Sequence, residues 1–451
     1  MKTGRGRGPG GTVGPAARVP PAGGGPAPGG RAAGETAPET AGDTAPGAPG
    51  APGPPLAVSL DVSAVPEQPA GAGQYSIALV RTLARRSDVA LTLVARTTDG
   101  SRWVELAPGA RVEAVVPDPR PMRLLWEQAR LPGLLAHLPV DVHHGPHYTM
   151  PETASLPRVV TIHDLTIFDH PEWHERSKVL YFRRAVRVAA AHADVLVCVS
   201  RTTARRLEAL CGPVGEVLVV PHGVDHGRFH PGDGPPDGDG LGPLAALGIR
   251  QPYVAFLGTI EPRKDVPTLV RAFDRLCPAH PGLSLLLAGT PGWGEKDLEQ
   301  AMSEARHPDR IVRLGYVPEA VVPDLLRRAA AVAYPALEEG FGLPVLEALA
   351  CGSPLVTTSG TVMEEMADGA ALMVEPGDAD GLAGALDMLV RGDQGLAERR
   401  ARGLTVAARY TWAASAAGHV QAYRAARERW SPSAERRLPW RPRTRASPPT
   451  R

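Results

Sequence analysis

The chain has 451 residues, of which 43% are hydrophobic and 22% are charged, and its formal net charge at pH 7 is +1. A nearly neutral chain of this length can bury two cores and has no general electrostatic attraction to nucleic acid. No apolar run approaches the roughly 18 residues that span a bilayer, which argues against an integral membrane protein.

The two ends of the chain differ in composition from its body. Gly and Pro make up about half of residues 1–55, and large apolar side chains are nearly absent there. Such a segment cannot bury enough surface to offset its conformational entropy, so we predict a disordered tail. Residues 430–451 alternate Pro with Arg and are predicted to form a second, basic disordered tail.

Residues 56–228 alternate apolar runs with amphipathic stretches, a pattern typical of a doubly wound parallel sheet. The first run, at 56–61, precedes Gly71, Gly73 and an amphipathic helix. These glycines are not a dinucleotide fingerprint, because they follow the strand by about ten residues and Ser76 occupies the third glycine position. Further strands are predicted at 91–95, 112–116, 141–143, 159–163, 195–199 and 217–220.

Two of these strands end in polar residues. The segment RVVTIHD ends in His163 and Asp164, and DVHHGPHY ends in His147 and Tyr148. Open α/β sheets bind ligands at the carboxyl ends of their strands, so these residues are candidates for ligand contact. His163 can hydrogen-bond a ligand without a metal, and Asp164 either orients His163 or caps the following turn.

Histidine clusters and one acidic motif raise the alternative of a metal site. Three histidines lie within residues 143–147, and His170 and His174 are four residues apart. Pro171 interrupts a helix between that pair, and no Cys or carboxylate completes a tetrahedral set. The acidic motif DGD at 237–239 lies in a Gly/Pro-rich loop, 229–250, that we interpret as a hinge. We therefore predict no metal.

Residues 251–411 repeat the alternating pattern. Strands are predicted at 253–258, 283–288, 311–314, 332–334, 354–357 and 371–374. In GTIEPRKD, Arg263 and Lys264 follow the first of these strands, and Asp265 fits the N-cap of the next helix. Two cations at a strand-to-helix turn can neutralise a diphosphate. The alternative is a solvated surface pair.

The segment EGFGLPVLE, residues 339–347, follows a buried-type strand and leads into a helix. Gly340 and Gly342 allow backbone N–H groups to approach a ligand, and the helix N-terminus near Leu343 favours phosphate or sugar oxygens. Glu339 is predicted on the loop and Glu347 one turn inside the helix. A glycosidase needs two acids flanking one bond at roughly 5–9 Å, so these glutamates fit separate hydroxyl-binding roles better.

Together these segments resemble the family-4 type of retaining nucleotide-sugar glycosyltransferases, in which Glu339 and Glu347 match the E-x7-E signature. The resemblance covers roughly residues 56–428. It implies the α/β GT-B fold, with two doubly wound Rossmann-like domains facing a central cleft. Residues 56–228 would be the acceptor side, 251–411 the nucleotide-sugar domain, and 412–429 a helix crossing back to the first domain.

The resemblance also implies residue roles. Glu339 and His163 would contact the donor sugar, Glu347 the ribose, and Arg263 with Lys264 the diphosphate. The implied catalytic set is His163, Glu339, Arg263 and Lys264. The implied donor-binding set is Gly71, Gly73, Arg263, Lys264, Gly340, Phe341, Gly342, Leu343 and Glu347. His147, Tyr148 and Asp164 would lie on the acceptor side.

The implied reaction is transfer of a hexose to a hydroxyl with retention, without a metal or cofactor. The segments VVTIHDL and RKDVPTL resemble those of mannosyltransferase-like relatives. The resemblance therefore implies GDP-mannose as the favoured donor and a UDP-hexose as the second candidate. The acceptor would be a glycan or a lipid-linked molecule. A phosphorylase, a nucleotide-sugar epimerase and a non-catalytic sugar-nucleotide-binding protein remain alternatives.

Cellular location is predicted from the cysteines and from one basic helix. Cys198, Cys211, Cys277 and Cys351 lack paired spacing, which predicts reduced, buried thiols of a cytoplasmic protein. The helix predicted at 175–191 carries several arginines beside apolar residues. It either rests on the inner face of the cell membrane or packs on its own sheet.

Overall fold

The computed structural model describes residues 54–69, 71–212, 214–232, 242–292 and 294–431. The predicted tails lie almost wholly outside these ranges, as do the DGD motif and much of the predicted hinge loop. Within the described residues, the alternating pattern folds into two parallel sheets, each flanked by helices.

The first sheet has seven parallel strands in the order β3-β2-β1-β4-β5-β6-β7. Its strands are β1 (Leu56–Asp61), β2 (Val89–Arg96), β3 (Arg111–Val116), β4 (Val142–Gly145), β5 (Arg158–Ile162), β6 (Val195–Cys198) and β7 (Glu216–Val219). Its helices are α1 (Ala72–Leu83), α2 (Gly100–Leu106), α3 (Arg120–Ala129), α4 (Leu131–His137), α5 (Thr166–Asp169), α6 (Arg176–His192) and α7 (Arg201–Cys211).

The second sheet has six parallel strands in the order β10-β9-β8-β11-β12-β13. Its strands are β8 (Tyr253–Leu257), β9 (Ser284–Ala288), β10 (Ile311–Gly315), β11 (Ala331–Tyr334), β12 (Leu355–Thr358) and β13 (Leu372–Val374). The remaining helices are α8 (Val266–Leu276), α9 (Glu295–Glu304), α10 (Val322–Arg327), α11 (Leu343–Ala350), α12 (Val362–Ala367), α13 (Ala379–Arg391), α14 (Leu396–Ala407) and α15 (Trp412–Arg429).

The strand order places one crevice in each sheet. In the first sheet the order reverses between β1 and β4, and in the second between β8 and β11. At such a switch point the following connections leave on opposite faces, which opens a crevice beyond the strand ends. The predicted fold class, two doubly wound α/β units, is confirmed, and the strand ends that carry the candidate residues adjoin these crevices.

The helix α15 belongs to the second half by sequence and to the first by packing. It lies against α1 and the strands β4, β5 and β6. Ala416, Val420 and Tyr423 are buried in the same apolar cluster as residues of β1 and α1. The predicted crossing of the C-terminal helix to the first domain is therefore confirmed.

The chain passes between the two sheets twice, and the two passages touch. Val224 on the outward passage pairs with Thr411 on the return, and its N–H donates to the Tyr410 carbonyl at 3.0 Å. A Cβ at Gly223 would lie 2.2 Å from the backbone nitrogen of Trp412. Only glycine fits this crossing, because backbone atoms cannot yield as a flexible side chain does.

The cysteines and the helices bear on the predicted location. All four cysteines are free, and three of them are buried. The prediction that all four are buried is wrong for Cys211, which lies at the exposed last turn of α7 and is half-buried. Among the described helices, none has both the length and the apolarity needed to cross a bilayer.

We expect Gly223→Ala to lower the free energy of unfolding by about 1–3 kcal/mol or more, because overpacking forces the backbone to shift. Gly384→Ala is the matched control, since Gly384 lies inside α13 with no atom near its missing Cβ. That control should be stabilising by roughly 0.5–1 kcal/mol. Thermal and chemical denaturation of both variants measure the difference, and equal stabilities would contradict the proposed constraint at the crossing.

Candidate active site

The predicted cations and the predicted loop glutamate lie on neighbouring strands. Arg263 and Lys264 occupy a single 3-10 turn, Pro262–Lys264, directly after β8. Glu339 lies on the loop after β11, which pairs with β8 in parallel register. Because β8 and β11 are adjacent and parallel, their carboxyl ends lie at the same edge of the sheet. The three side chains are therefore close to one another.

The Glu339 carboxylate bridges both cations. One of its oxygens contacts the Lys264 ammonium and the other contacts the Arg263 guanidinium. The Tyr334 hydroxyl donates to Glu339 Oε1 at 2.8 Å, and Arg263 Nη2 also lies 2.5 Å from Glu261 Oε1. The alternative of a solvated Arg-Lys pair is therefore wrong, because Lys264 is only 6% exposed and both cations are paired with carboxylates.

The protonation states follow from this arrangement. Burial alone would raise the pKa of Glu339, but Arg263 and Lys264 together hold it at about 2. Burial also opposes the charge of Arg263, yet Glu339 and Glu261 raise the pKa of its guanidinium above the ordinary value. Glu339 and Arg263 are both ionised at neutral pH and form a preorganised ion pair, whereas burial lowers the pKa of Lys264 despite the opposing effect of Glu339.

The loop that carries Glu339 rests directly on the first domain. The Gly340 carbonyl accepts hydrogen bonds from Ser200 Oγ at 2.9 Å and Thr203 Oγ1 at 3.2 Å. A Cβ at Gly340 would lie 1.7 Å from the His163 carbonyl oxygen. Gly340 is thus required for a close backbone approach between the two sheets, and Glu339 and His163 come from opposite sides of the cleft to one place.

His163 follows β5 and has a defined tautomer. Its Nε2–H donates to the Pro146 carbonyl at 2.8 Å, which leaves Nδ1 as an acceptor. Burial lowers the pKa of His163, so the ring is neutral at pH 7. Asp164 caps the following turn, since its Oδ1 accepts from both the N–H and the hydroxyl of Thr166. Of the two alternatives for Asp164, the structure supports capping.

Aromatic rings surround His163. Its ring centroid lies 4.9 Å from that of Tyr75, 5.7 Å from His222, and 5.8 Å from both His147 and Tyr148. His147 and Tyr148 were predicted near the acceptor, whereas Tyr75 and His222 were not singled out. The position of each residue in the sequence could have identified it as a site candidate. Tyr75 follows the Gly71–Gly73 turn, and His222 precedes the chain crossing at Gly223.

A buried hydrogen-bond network fixes Tyr75 and ties α15 to the first sheet. The His419 Nδ1–H donates to the Ser415 carbonyl at 2.8 Å, so its Nε2 accepts from the Tyr75 hydroxyl at 2.7 Å. The Tyr75 oxygen then accepts from Thr161 Oγ1 at 3.0 Å, and Thr161 accepts from His144 Nε2 at 2.8 Å.

The network ends at Tyr423, whose hydroxyl donates to His144 Nδ1 at 2.9 Å. Every proton in the network then runs in one direction, which requires both histidines to be neutral. Burial lowers the pKa of His144 and that of His419, in agreement with this assignment. A fully satisfied buried network of this kind rigidifies the elements that carry it.

The other residues predicted for the nucleotide-sugar site lie at the starts of α11 and α1. Gly342 is the N-cap of α11 with φ +91°, and Leu343 begins the helix. Phe341 is buried, and its ring lies 4.5 Å from that of His222 in a T-shaped contact. Gly71 has φ +46° at the start of α1, and a Cβ at Gly73 would lie 2.9 Å from Pro69 Cβ.

Glu347 lies one turn inside α11, as predicted, and it is not part of the Glu339 ion-pair cluster. Its carboxylate makes no hydrogen bond to another described residue, and Arg228 and Glu319 are the charged groups that act on its pKa. Burial raises the pKa of Glu347 to about 7, and Arg228 only partly offsets this effect. The carboxylate is therefore an unused acceptor at the edge of the cleft.

The sequence also raised the alternatives of a metal site and of membrane contact by the basic helix α6. In the part of the chain that the structure describes, no group of three or more His, Cys, Asp or Glu side chains is arranged to hold a metal. The basic helix α6 buries Val179 and Val186, and Arg183 Nε donates to the Ile167 carbonyl at 2.7 Å. These contacts favour the interpretation that α6 packs on its own sheet, and membrane contact stays a prediction.

Two family models match the chain. The model for glycosyl transferases group 1 matches residues 246–403, and that for glycosyltransferase family 4 matches residues 69–228. Each match falls on one of the two sheets and its helices.

Relatives and solved structures agree with these matches. The O-antigen chain mannosyltransferase B of Escherichia coli is 28% identical over 63% of this chain and 74% of its own. A D-inositol 3-phosphate glycosyltransferase of Actinosynnema mirum is 30% identical over 64% of this chain and 76% of its own. The structure of Anabaena HepE with UDP-glucose has a TM-score of 0.62 at 20% identity, covering 83% of this chain and 98% of that one.

We expect Glu347→Gln to leave the melting temperature unchanged near pH 4 and to raise it increasingly as the pH rises from 4.5 to about 7. A carboxyl whose pKa is raised by folding begins to destabilise the fold above its unfolded pKa, where only the unfolded chain is ionised, and the full cost, about 1–3 kcal/mol here, is reached above its folded pKa. Melting curves across this pH range test the expectation. Glu105→Gln, at an exposed position, is the control. A pH-independent difference would contradict the assignment of the buried charge to Glu347.

Proposed function

The chain belongs to the family-4 glycosyltransferases with the GT-B fold, and from this premise we propose that it transfers a hexose, preferably mannose, from a nucleoside diphosphate sugar to an acceptor hydroxyl. The observation that carries the proposal is the meeting of Glu339, its two paired cations and His163 at facing strand ends. This arrangement supplies positive charge for a pyrophosphate and hydrogen-bonding groups for a sugar in one cleft.

The cations would act on the leaving group. As the bond between the anomeric carbon and the phosphate oxygen breaks, negative charge grows on the nucleoside diphosphate. Arg263 and Lys264 are held in place by Glu339 before the donor arrives, so they stabilise this charge with little reorganisation. Because these two side chains supply the charge, we propose that transfer needs no metal.

The stereochemical proposal is retention. The acceptor oxygen would bond to the anomeric carbon on the face that the phosphate leaves, and its proton would pass to the departing phosphate oxygen. His163 Nδ1 is the free acceptor of a neutral ring and would take a hydrogen bond from a hydroxyl of the donor sugar. Glu339 would contact the same sugar.

The nucleotide end of the donor would lie on α11. The Glu347 carboxylate lacks a partner among the described residues, and two adjacent ribose hydroxyls are the donors that such a carboxylate accepts well. The contacts from Ser200 and Thr203 to Gly340 would exclude water from the reacting bond. Exclusion of water favours transfer over hydrolysis of the donor.

The donor is proposed as GDP-mannose, supported by the mannosyltransferase relative of Escherichia coli. A UDP-hexose is the second candidate, because the similar Anabaena protein was solved with UDP-glucose. The free cysteines support a reducing, cytoplasmic setting. A phosphorylase, an epimerase and a binding protein without activity are distinguished from the proposal by whether sugar reaches an acceptor hydroxyl.

A panel of nucleotide sugars tests the donor. At 100 times its dissociation constant, the correct donor should stabilise the folded chain by about 2.7 kcal/mol, measured as a rise in melting temperature. We expect GDP-mannose to give the largest rise, with and without a metal chelator. No shift with any nucleotide sugar would contradict the proposed function, and a chelator-sensitive shift would contradict metal independence.

We expect Lys264→Ala to lower the rate of sugar transfer by about ten- to a hundredfold, because a charge-assisted contact contributes about 1.5–3 kcal/mol. Glu339→Gln should also lower the rate, since it weakens the hold on both cations while keeping the side-chain shape. Lys296→Ala, an exposed lysine on α9, is the matched control. Initial rates are compared with melting temperatures, and full activity in a folded Lys264→Ala variant would refute the assigned role.

A further inference from the structure

A cavity lined by several charged side chains lies in the first domain, beside the cleft. Its volume is about 370 Å³, within the range of roughly 300–1,000 Å³ typical of small-molecule sites. The end of β1, the helices α3 and α6, and the loop after β4 enclose it. His147 on that loop lines the cavity, and its ring lies 5.8 Å from the ring of His163. The cavity therefore adjoins the place proposed for the donor sugar.

Three cations line this cavity, and each is only partly used by the protein. Arg123 Nη1 donates to the Ser63 carbonyl at 3.2 Å, and the Arg120 guanidinium lies 5.7 Å from the centroid of the Phe182 ring. Lys178 pairs with Glu175 at 2.7 Å in an exposed ion pair, which contributes little and is easily exchanged. Each cation thus retains donors for a bound ligand.

Two carboxyl groups face these cations without cancelling their charge. Glu127 on α3 is 5% exposed, and burial together with nearby Asp61 raises its pKa to about 8. Burial also raises the pKa of Asp61, whose Oδ1 accepts from the Ser63 N–H at 2.9 Å. At neutral pH the Glu127 carboxyl is largely protonated, so the lining carries a net positive charge.

The lining suits a ligand with two kinds of group. An oxyanion such as phosphate is the natural partner of Arg120, Arg123 and Lys178. Asp61 and Glu127 add a carboxylate acceptor and a carboxylic acid, which suit the hydroxyls of a sugar or polyol. Arg120, Arg123 and Glu127 lie on one face of α3 at spacings of three and four residues, so a single rigid element presents both kinds of group.

We infer that this cavity is the acceptor site and that the acceptor is a polyhydroxylated molecule bearing a phosphate or a similar oxyanion, held by Arg120, Arg123 and Lys178. The inference rests on the proposed function, because it names the substrate class for the same transfer. The hydroxyl that receives the sugar would lie on the His147 side of the cavity, nearest His163. The anionic group would lie between α3 and α6.

Calorimetric titrations of the full chain test the inference. The chain is first saturated with GDP or UDP and then titrated with glucose 6-phosphate and inositol 1-phosphate, each beside its unphosphorylated counterpart. We expect at least one phosphorylated ligand to bind ten times more tightly than its counterpart. Arg123→Ala should weaken that binding at least tenfold, whereas Arg85→Ala, at an exposed position on the same domain, should not.

The nucleotide titration separates the two hypotheses. Failure to bind any nucleotide would contradict the proposed function, whereas normal nucleotide binding without a preference for phosphorylated ligands would overturn the anionic acceptor site alone. Arg120→Ala and Lys178→Ala provide the same test should Arg123→Ala fail to fold. A phosphate preference that survives all three substitutions would also overturn the inference.

The oxyanion has two sources, a free sugar phosphate or a lipid headgroup. Vesicles of phosphatidylcholine containing phosphatidylinositol are compared with vesicles containing phosphatidylserine, and bound protein is measured by sedimentation. Binding selective for phosphatidylinositol and lost in Arg123→Ala assigns the site to a lipid headgroup. Tight binding of soluble phosphates without this selectivity assigns it to a free acceptor. The absence of both responses would overturn the proposed site.

Discussion

The ionised carboxylate of Glu339, held between Arg263 and Lys264, is the interaction on which the cleft depends. It joins the turn after β8 to the loop after β11, so two adjacent strand ends share one charge cluster. Removing one partner from such a buried cluster leaves an uncompensated charge and typically costs about 3–5 kcal/mol. Because Gly340 follows Glu339 and touches the first domain, the cluster also sets where the two domains meet.

The elements of the fold could be predicted because their signals are local. The apolar run at 56–61 coincides with β1, and the amphipathic stretch after Gly71 and Gly73 coincides with α1. The strand-turn-helix around residues 339–347 was also predictable, since glycine and the apolar helix face determine it within nine residues. Facing strand ends then follow from parallel topology, which is why the predicted cations and Glu339 lie together.

Contacts between distant parts of the chain could not be predicted in this way. The bond between Tyr75 and His419 joins residues 344 positions apart, and no periodicity states which polar residue meets which. The burial of Lys264 could not be predicted either, because an adjacent Arg-Lys pair is typical of a solvated surface. Its burial depends on Glu339, which is distant in sequence and contacts it in the fold. The cavity at α3 could not be predicted for the same reason, because its charged side chains come from three separate elements, the end of β1, α3 and α6.

The packing of α15 has a consequence for the order in which the protein is made. Domains generally fold as units during synthesis, with the N-terminal one first. Here Val420, Tyr423 and Ala426 complete the apolar cluster of the first domain, although they are translated after the whole second sheet. The first domain therefore cannot complete its apolar core until the second domain and α15 have been synthesised.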